Sequence, residues 1–210
     1  MSLNSFISNQ LASPKGIGGK VVGYFMNRQN RPLYVETMRL LSLTDLDNVL
    51  DIGCGSGYVL NMMAKRHGSV FTGLDFSESM IQAAVSRNRL YINSGKMKFS
   101  HGDFSAMTFA DGSFSKVFTI NTVYFWENPD SVMVGIKRVL KPGGLFINTF
   151  YSNETLDRFS HTRQGYKRFS EKQLTDFGTD AGFSVKSVPI LNSAAFCYLY
   201  RKTSVQGDKA

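Results

Sequence analysis

The chain has 210 residues, 42% of them apolar and 19% charged, with a formal net charge of +8. That balance fits one soluble globular domain with a sizeable core and excludes a membrane-spanning one, since no apolar run approaches the roughly 18–20 residues that cross a bilayer. Two isolated cysteines, Cys54 and Cys197, make neither a disulfide framework nor a zinc set, and Met1 to Gln10 lacks an apolar signal core, so reduced thiols, no metal and a cytoplasmic location are expected.

Residues 5–30 are rich in Gly, Ser, Asn and Lys, and Ser13-Pro14-Lys15-Gly16-Ile17-Gly18-Gly19 predicts a flexible loop. A helix over 31–42 follows, with Pro32 suited to its first turn and Leu33, Met38, Leu40 and Leu41 as apolar residues. Val49-Leu50-Asp51-Ile52 is a short strand ending at glycines. The apolar face of Val59, Leu60, Met62, Met63 and Ala64 predicts a helix over 58–67, stopped by Gly68. Val70 to Leu74 is a second strand with Asp75 at its end. Ser77 is a good N-cap for a helix over about 78–91. Met97 to Ser100 is a third strand, ended by Gly102-Asp103. Phe114 to Ile120 is a fourth. Pro129-Asp130 opens a helix to about Leu140, which Lys141-Pro142-Gly143-Gly144 ends. Leu145 to Tyr151 is a fifth strand. Ser170 caps a helix over about 171–181, and strands 183–190 and 194–200 are joined by the turn Leu191-Asn192-Ser193.

Strand–helix alternation implies a parallel sheet with helices on both faces. The final strand pair implies an antiparallel hairpin at one edge. The fold class is therefore α/β: a doubly wound, seven-stranded, mostly parallel sheet.

In such sheets a ligand sits outside the carboxyl ends of the strands. The turn here is Gly53-Cys54-Gly55-Ser56-Gly57. Asp51 precedes it, Asp75 ends the next strand and Asp103 the third. Asp75 is placed to accept hydrogen bonds from both ribose hydroxyls of an adenosine ligand, and Asp103 is placed for the adenine amino group. A dinucleotide fingerprint reads G-x-G-x-x-G, but the position three after Gly55 is Tyr58. Asp51 also puts negative charge where a pyrophosphate would lie. It suits an ammonium, and S-adenosylmethionine carries an ammonium and a sulfonium with no phosphate.

At these residues the chain resembles the class I S-adenosylmethionine-dependent methyltransferases, in particular the small enzymes with a bare Rossmann-like core. Leu50 to Gly57 resembles motif I, and Gly73-Leu74-Asp75-Phe76-Ser77-Glu78-Ser79-Met80 the acidic-loop motif, in which Phe76 and Met80 pack around the adenosine. Gly102-Asp103-Phe104 resembles the adenine-binding motif, and Asn121-Thr122-Val123-Tyr124-Phe125-Trp126 occupies the fourth-strand motif. Arg138 to Gly144 resembles the turn after it. The resemblance spans about 45–200. It implies cofactor contacts at Asp51, Gly53, Cys54, Gly55, Gly57, Asp75, Phe76, Met80, Gly102, Asp103, Phe104, Asn121 and Tyr124. It also implies a core over 43–205, a cap over the cofactor site at 1–42 and a short substrate-side insert at 152–169.

Many relatives carry a histidine near the end of the fourth strand, where this chain has Tyr124-Phe125-Trp126. The Pro-Pro motif of enzymes that methylate nucleic-acid amino groups is absent too. Tyr124 and His161 are the candidates for orienting the acceptor or moving a proton. The N-terminal 30 or so residues, 121–129 and 152–169 should build the acceptor pocket, and their shortness favours a small molecule. The zone Arg158 to Arg168, with Arg158, His161, Arg163, Lys167 and Arg168, is either a solvated basic surface or one that faces an anion. The alternatives are an NAD(P)-dependent oxidoreductase with an irregular fingerprint, and an RNA-directed methyltransferase or non-catalytic nucleic-acid-binding protein. A monomer or homodimer is expected.

Overall fold

In the computed structural model the described residues are 16–163 and 165–203, excluding the side chains of 16–26 and of His161. The elements in chain order are α1 (Gly16–Leu41), β1 (Asn48–Ile52), α2 (Tyr58–Ala64), β2 (Val70–Asp75), α3 (Glu78–Arg87), α4 (Arg89–Asn93), β3 (Met97–His101), β4 (Phe114–Ile120), α5 (Pro129–Val139), β5 (Leu140–Tyr151), α6 (Asn153–Asp157), α7 (Glu171–Asp180), β6 (Phe183–Ile190) and β7 (Ala195–Lys202). They form one seven-stranded sheet in the order β3-β2-β1-β4-β5-β7-β6. The five strands from β3 to β5 pair in parallel, and β7 pairs antiparallel with both β5 and β6. The expected mostly parallel sheet with an antiparallel terminal hairpin is thus what the chain forms.

The period-2 alternation of each strand divides the core between the two faces. Val49, Phe118 and Ile147 pack on one side with Leu33, Leu60 and Met63. Leu50, Val117 and Phe146 pack on the other with Ile136, Val139 and Leu174. Each such buried aliphatic or aromatic side chain stabilises the fold by roughly 1.5–3 kcal/mol relative to exposure.

Four local expectations need correction. The loop expected from Ser13 is helix from Gly16 onward, and Pro32 lies inside α1 rather than in its first turn; residues 13–15 fall outside the described residues. An interior proline removes one helical hydrogen bond. Here that loss is offset by full burial of Leu33, Thr37 and Leu41 just beyond it. The Thr37 hydroxyl donates to the Leu33 carbonyl and meets the Thr149 hydroxyl on β5 at 2.7 Å, which pins this half of the helix to the sheet. Second, the helix expected over 78–91 breaks at Asn88, whose buried amide group donates to the carbonyls of Ala84 and Gly57. Third, Ser77 holds the N-cap position of α3 without a capping bond, and its hydroxyl pairs with that of Ser79 instead. Fourth, Lys141 to Gly144 runs on as the start of β5, with a register shift opposite Phe114 to Lys116. Ser170 does cap α7, in a reciprocal box with Gln173.

Candidate active site

The carboxyl ends of β1 to β5 open into one cleft of about 2490 Å³. The three turn glycines all have left-handed backbones, with φ of 76°, 52° and 65° at Gly53, Gly55 and Gly57. Only glycine adopts that conformation without strain. A Cβ on Gly53 would lie 2.3 Å from Thr122 Cγ2, and one on Gly57 2.7 Å from Asn88 Nδ2 and 2.9 Å from Phe99. Around Gly55 a Cβ would meet nothing within 4 Å. Gly53 and Gly57 are thus required by packing, whereas Gly55 faces open cleft, where a ligand can approach the main chain.

Four of the turn's five amides are already committed. The amides of Gly53 and Cys54 donate to the Leu74 carbonyl at 2.8 and 3.0 Å, and that of Gly57 to Cys54. The Gly55 amide donates to Asp75 Oδ2 at 2.8 Å. A pyrophosphate site needs free amides, and these four are taken.

The carboxylates carry the opposite demand. Asp51 is buried, and no hydrogen bond from the described residues reaches its carboxylate. Burial, then the nearby Asp75 charge, holds its pKa well above the carboxylate range. Asp75 is also raised by burial, against the opposing pull of the Ser77 and Gly55 amides and of His101. Two acids held in this way form a site short of positive charge. An ammonium that bound there would relieve both.

Asp103 caps the short turn Phe104–Ala106, with Oδ1 accepting from the Ser105 amide and hydroxyl at 2.8 and 2.7 Å. Phe76 is 59% exposed and lines the cleft with Met80 and Gly102. A ring nitrogen of His101 lies 2.9 Å from the Phe76 carbonyl, fixing that loop. Phe104 reaches the cleft wall but packs into the core. Cys54 likewise borders the cleft while its thiol packs toward Gly73, and burial pushes that thiol's pKa well up.

The other half of the cleft lies over β4 and β5. Asn121 lines it with φ of 58°, a left-handed backbone in a residue other than glycine. The Thr119 hydroxyl donates to the Ile52 carbonyl, and the Thr122 hydroxyl donates to Thr119. This pair ties the glycine turn to the loop after β4. Tyr124 is buried, its hydroxyl accepting from the Tyr151 amide at 2.8 Å and lying 3.2 Å from the Tyr151 carbonyl. Because β4 pairs last at Ile120 with Thr149, that hydroxyl fills the place of a further β4 residue. Burial, foremost, holds its pKa far above the ordinary tyrosine value. It therefore serves the main chain, which leaves its ring, not a mobile proton, for the cleft. The Tyr166 ring lies 5.3 Å from that of Tyr124 and 4.8 Å from that of Phe125.

The insert accounts for much of the basic zone. Lys167 Nζ donates to the carbonyls of Trp126 and Glu127 at 2.6 and 3.2 Å. Arg168 donates to Asp157 and to the carbonyls of Thr162 and Tyr166. These two cations are internal braces that hold the insert against the loop after β4, whereas Arg158 and Arg163 are exposed. The side chain of His161 lies outside the described residues.

Of the segments expected to build the acceptor pocket, 27–30, most of 121–128, and Leu156, Phe159, Thr162 and Tyr166 of the insert line the cleft, together with 31, 32 and 34–36 of α1; residues 1–15 and the side chains of 16–26 lie outside the described residues. Arg28 falls in Met26-Asn27-Arg28, which by resemblance is expected to fold over the cofactor; sequence reasoning did not single out Arg31, Tyr34 or the Thr119–Thr122 pair. Tyr34 borders the cleft beside Asp51, with its ring 5.9 Å from that of Tyr58. No motif marks Arg31 or Tyr34, which reach the cleft through the packing of α1.

Residues 50–148 match a family model described as a methyltransferase domain. The uncharacterized methyltransferase YdaC of Bacillus subtilis is 28% identical over 164 residues, 78% of this chain and 86% of YdaC. The sterol 24-C-methyltransferase ERG6B of Gibberella zeae is 35% identical over 116 residues, which are 52% of this chain and 30% of that longer protein. The chain thus spans less than two thirds of ERG6B. In fold, it is similar to a chain of the complex between the Haloferax volcanii Trm112 methyltransferase activator and a methyltransferase, with a TM-score of 0.77 at 22% identity, covering 97% of this chain and 100% of that one. A sheet in this order and the match over the motif-bearing segment together support a class I S-adenosylmethionine-dependent methyltransferase.

Proposed function

We propose that the chain transfers the methyl group of S-adenosylmethionine in line to a small-molecule acceptor. The observation that carries this reading is the continuity of the cleft from the Asp51–Asp75 acids over β1 and β2 to the aromatic wall over β4 and β5. When bound, the cofactor supplies an electrophilic methyl group on a sulfonium. Asp51 would take its ammonium, Asp75 its ribose hydroxyls and Asp103 its adenine amino group, with Phe76 and Met80 against the adenosine. The Thr119–Thr122 pair and the Tyr124 hydroxyl then hold the loop after β4 in register with the glycine turn. Alignment of nucleophile, methyl and sulfur is the main task of such a site, worth up to roughly 7–11 kcal/mol.

Tyr124 acts here as a positioning residue, not as a base. The dinucleotide alternative loses support, because Tyr58 stands where its third glycine belongs and the amides of Gly53, Cys54, Gly55 and Gly57 are already bonded. The nucleic-acid alternative loses the part of its basic zone that braces the fold.

A titration with S-adenosylhomocysteine and with NAD, read by thermal shift, tests the cofactor. Stabilisation by NAD alone overturns the reading. A tritiated-methyl screen over metabolite pools and over tRNA and rRNA tests the acceptor. Label is expected in small molecules, and label confined to RNA would refute that part.

A further inference from the structure

Three described cations line the cleft: Arg28, Arg31 and Arg87. Arg87 is engaged, with Nε donating to the Ser56 carbonyl at 3.1 Å and its guanidinium over the Tyr58 ring. Arg28 and Arg31 are exposed on α1 and make no hydrogen bond or ion pair among the described residues. Elsewhere in the fold Arg39, Arg138, Arg168 and Lys172 are paired with acids. The two unpaired cations of the cleft therefore stand on the one helix that bridges its two halves.

Helical spacing sorts them. Successive residues step by about 100° around the axis. Tyr34 faces the Asp51 side. Arg31 is about 60° round from it, and Arg28 a further 60° or so in the same sense. Gln29, next to Arg28, accepts the Tyr151 hydroxyl on its carbonyl at 3.3 Å, on the acceptor side. Arg31 is thus the nearer in angle to Tyr34 and the Asp51 side, and Arg28 lies further round, next to the Gln29 carbonyl that Tyr151 reaches.

The acceptor wall itself is aromatic: Tyr124, Phe125, Tyr151, Phe159 and Tyr166 line it. Its tyrosines stay protonated, since burial raises the pKa of Tyr124, Tyr151 and Tyr166 alike, so none is a ready proton acceptor.

Resting on the methyltransferase reading above, we propose that the acceptor is an aromatic compound with an acidic group, its ring on the Phe125–Tyr166 wall and its anion at Arg28. Its nucleophile carries a free electron pair at neutral pH, a thiolate or a ring nitrogen. In the step, that pair forms the bond to the methyl carbon as the carbon–sulfur pair returns to sulfur. The sulfonium becomes a neutral thioether, and a thiolate becomes a neutral methyl thioether with no proton to place.

The test uses 4-mercaptobenzoate and its neutral analogue 4-mercaptobenzamide as methyl acceptors for the full chain and for Arg28→Gln and Arg31→Gln. S-adenosylhomocysteine affinity is measured in parallel. The expected result is a kcat/KM at least tenfold higher for the benzoate, reduced to within about twofold by R28Q without change in S-adenosylhomocysteine affinity. R31Q is expected to weaken S-adenosylhomocysteine binding instead. Equal rates on the two thiols overturn the proposal. So does an R28Q whose defect lies in S-adenosylhomocysteine affinity alone, or turnover of neither thiol while S-adenosylhomocysteine binds. Failure to bind S-adenosylhomocysteine at all strikes the methyltransferase reading itself.

Discussion

Removing the Tyr124 hydroxyl separates a structural role from a chemical one. In Tyr124→Phe the Tyr151 amide loses its acceptor at 2.8 Å, and the Tyr151 carbonyl its neighbour at 3.2 Å, at a point where β4 has ended. A backbone group left unsatisfied costs about 1–3 kcal/mol. The site borders the cleft, where water can recover part of that loss, so about 2 kcal/mol is expected for the pair. For a chain of this size each kcal/mol moves Tm by about 2–4 °C, which gives a fall of about 4–8 °C by differential scanning calorimetry. The accompanying kinetics should show a kcat reduced by less than about tenfold and an unshifted pH profile, because general base catalysis is worth about 10²–10⁴ and is not being removed. An unchanged Tm together with a loss of a hundredfold or more in kcat and of the basic limb of the profile would refute the reasoning.

Asp51→Asn should raise the Tm of the free protein at pH 8 and weaken S-adenosylhomocysteine by at least about tenfold in calorimetric titration, since it deletes a buried charge that only a bound cation compensates; an unchanged affinity counts against the ammonium assignment. Folded-state pKa values of Asp51 and Asp75 lie above their unfolded ones. The folded chain therefore binds more protons between the two, and stability falls as pH rises from the unfolded carboxylate range through the raised values. S-adenosylhomocysteine favours the ionised pair, so its stabilising shift should be larger at pH 8 than at pH 5.5, and a shift independent of pH would show that the acids do not face the ligand. Gly53→Ala combines a left-handed backbone, worth about 1–2 kcal/mol, with a Cβ driven into Thr122. Gly55→Ala bears only the backbone penalty but fills the open approach to the turn. Denaturant unfolding should thus find the first the less stable, and ligand titration should find the second impaired in S-adenosylhomocysteine affinity beyond its stability loss. Equal unfolding midpoints for the two would contradict the packing account.

The parallel sheet, the glycine turn and the acids at three successive strand ends were legible because each depends on local rules. The apolar run Val49-Leu50-Asp51-Ile52 and a glycine at each left-handed position of the turn need no distant partner. Where distant partners decide, the sequence misleads. Gly16 to Asn30 has the composition of a loop yet is helical, continuous with a segment whose Leu33, Thr37 and Leu41 are buried against the sheet. Arg168 and Lys167 belong by composition to a basic patch, yet their charges are spent on carbonyls brought close by the folded insert. Tyr124 stands where a catalytic residue is expected, and the end of β4 turns its hydroxyl to the main chain of Tyr151.

By itself, then, the sequence determined the sheet class, the phosphate-free character of the turn and the placing of Asp51, Asp75 and Asp103, because strand period, glycine dihedrals and strand-end acids are encoded over a few residues. Only the tertiary structure decided that the amides of Gly53, Cys54, Gly55 and Gly57 are already bonded, that burial and the nearby Asp75 raise the pKa of Asp51, and that α1 carries Arg28 and Arg31 to the cleft. Those are properties of approach between segments far apart in the chain, and burial and Coulomb coupling exist only once the segments have met.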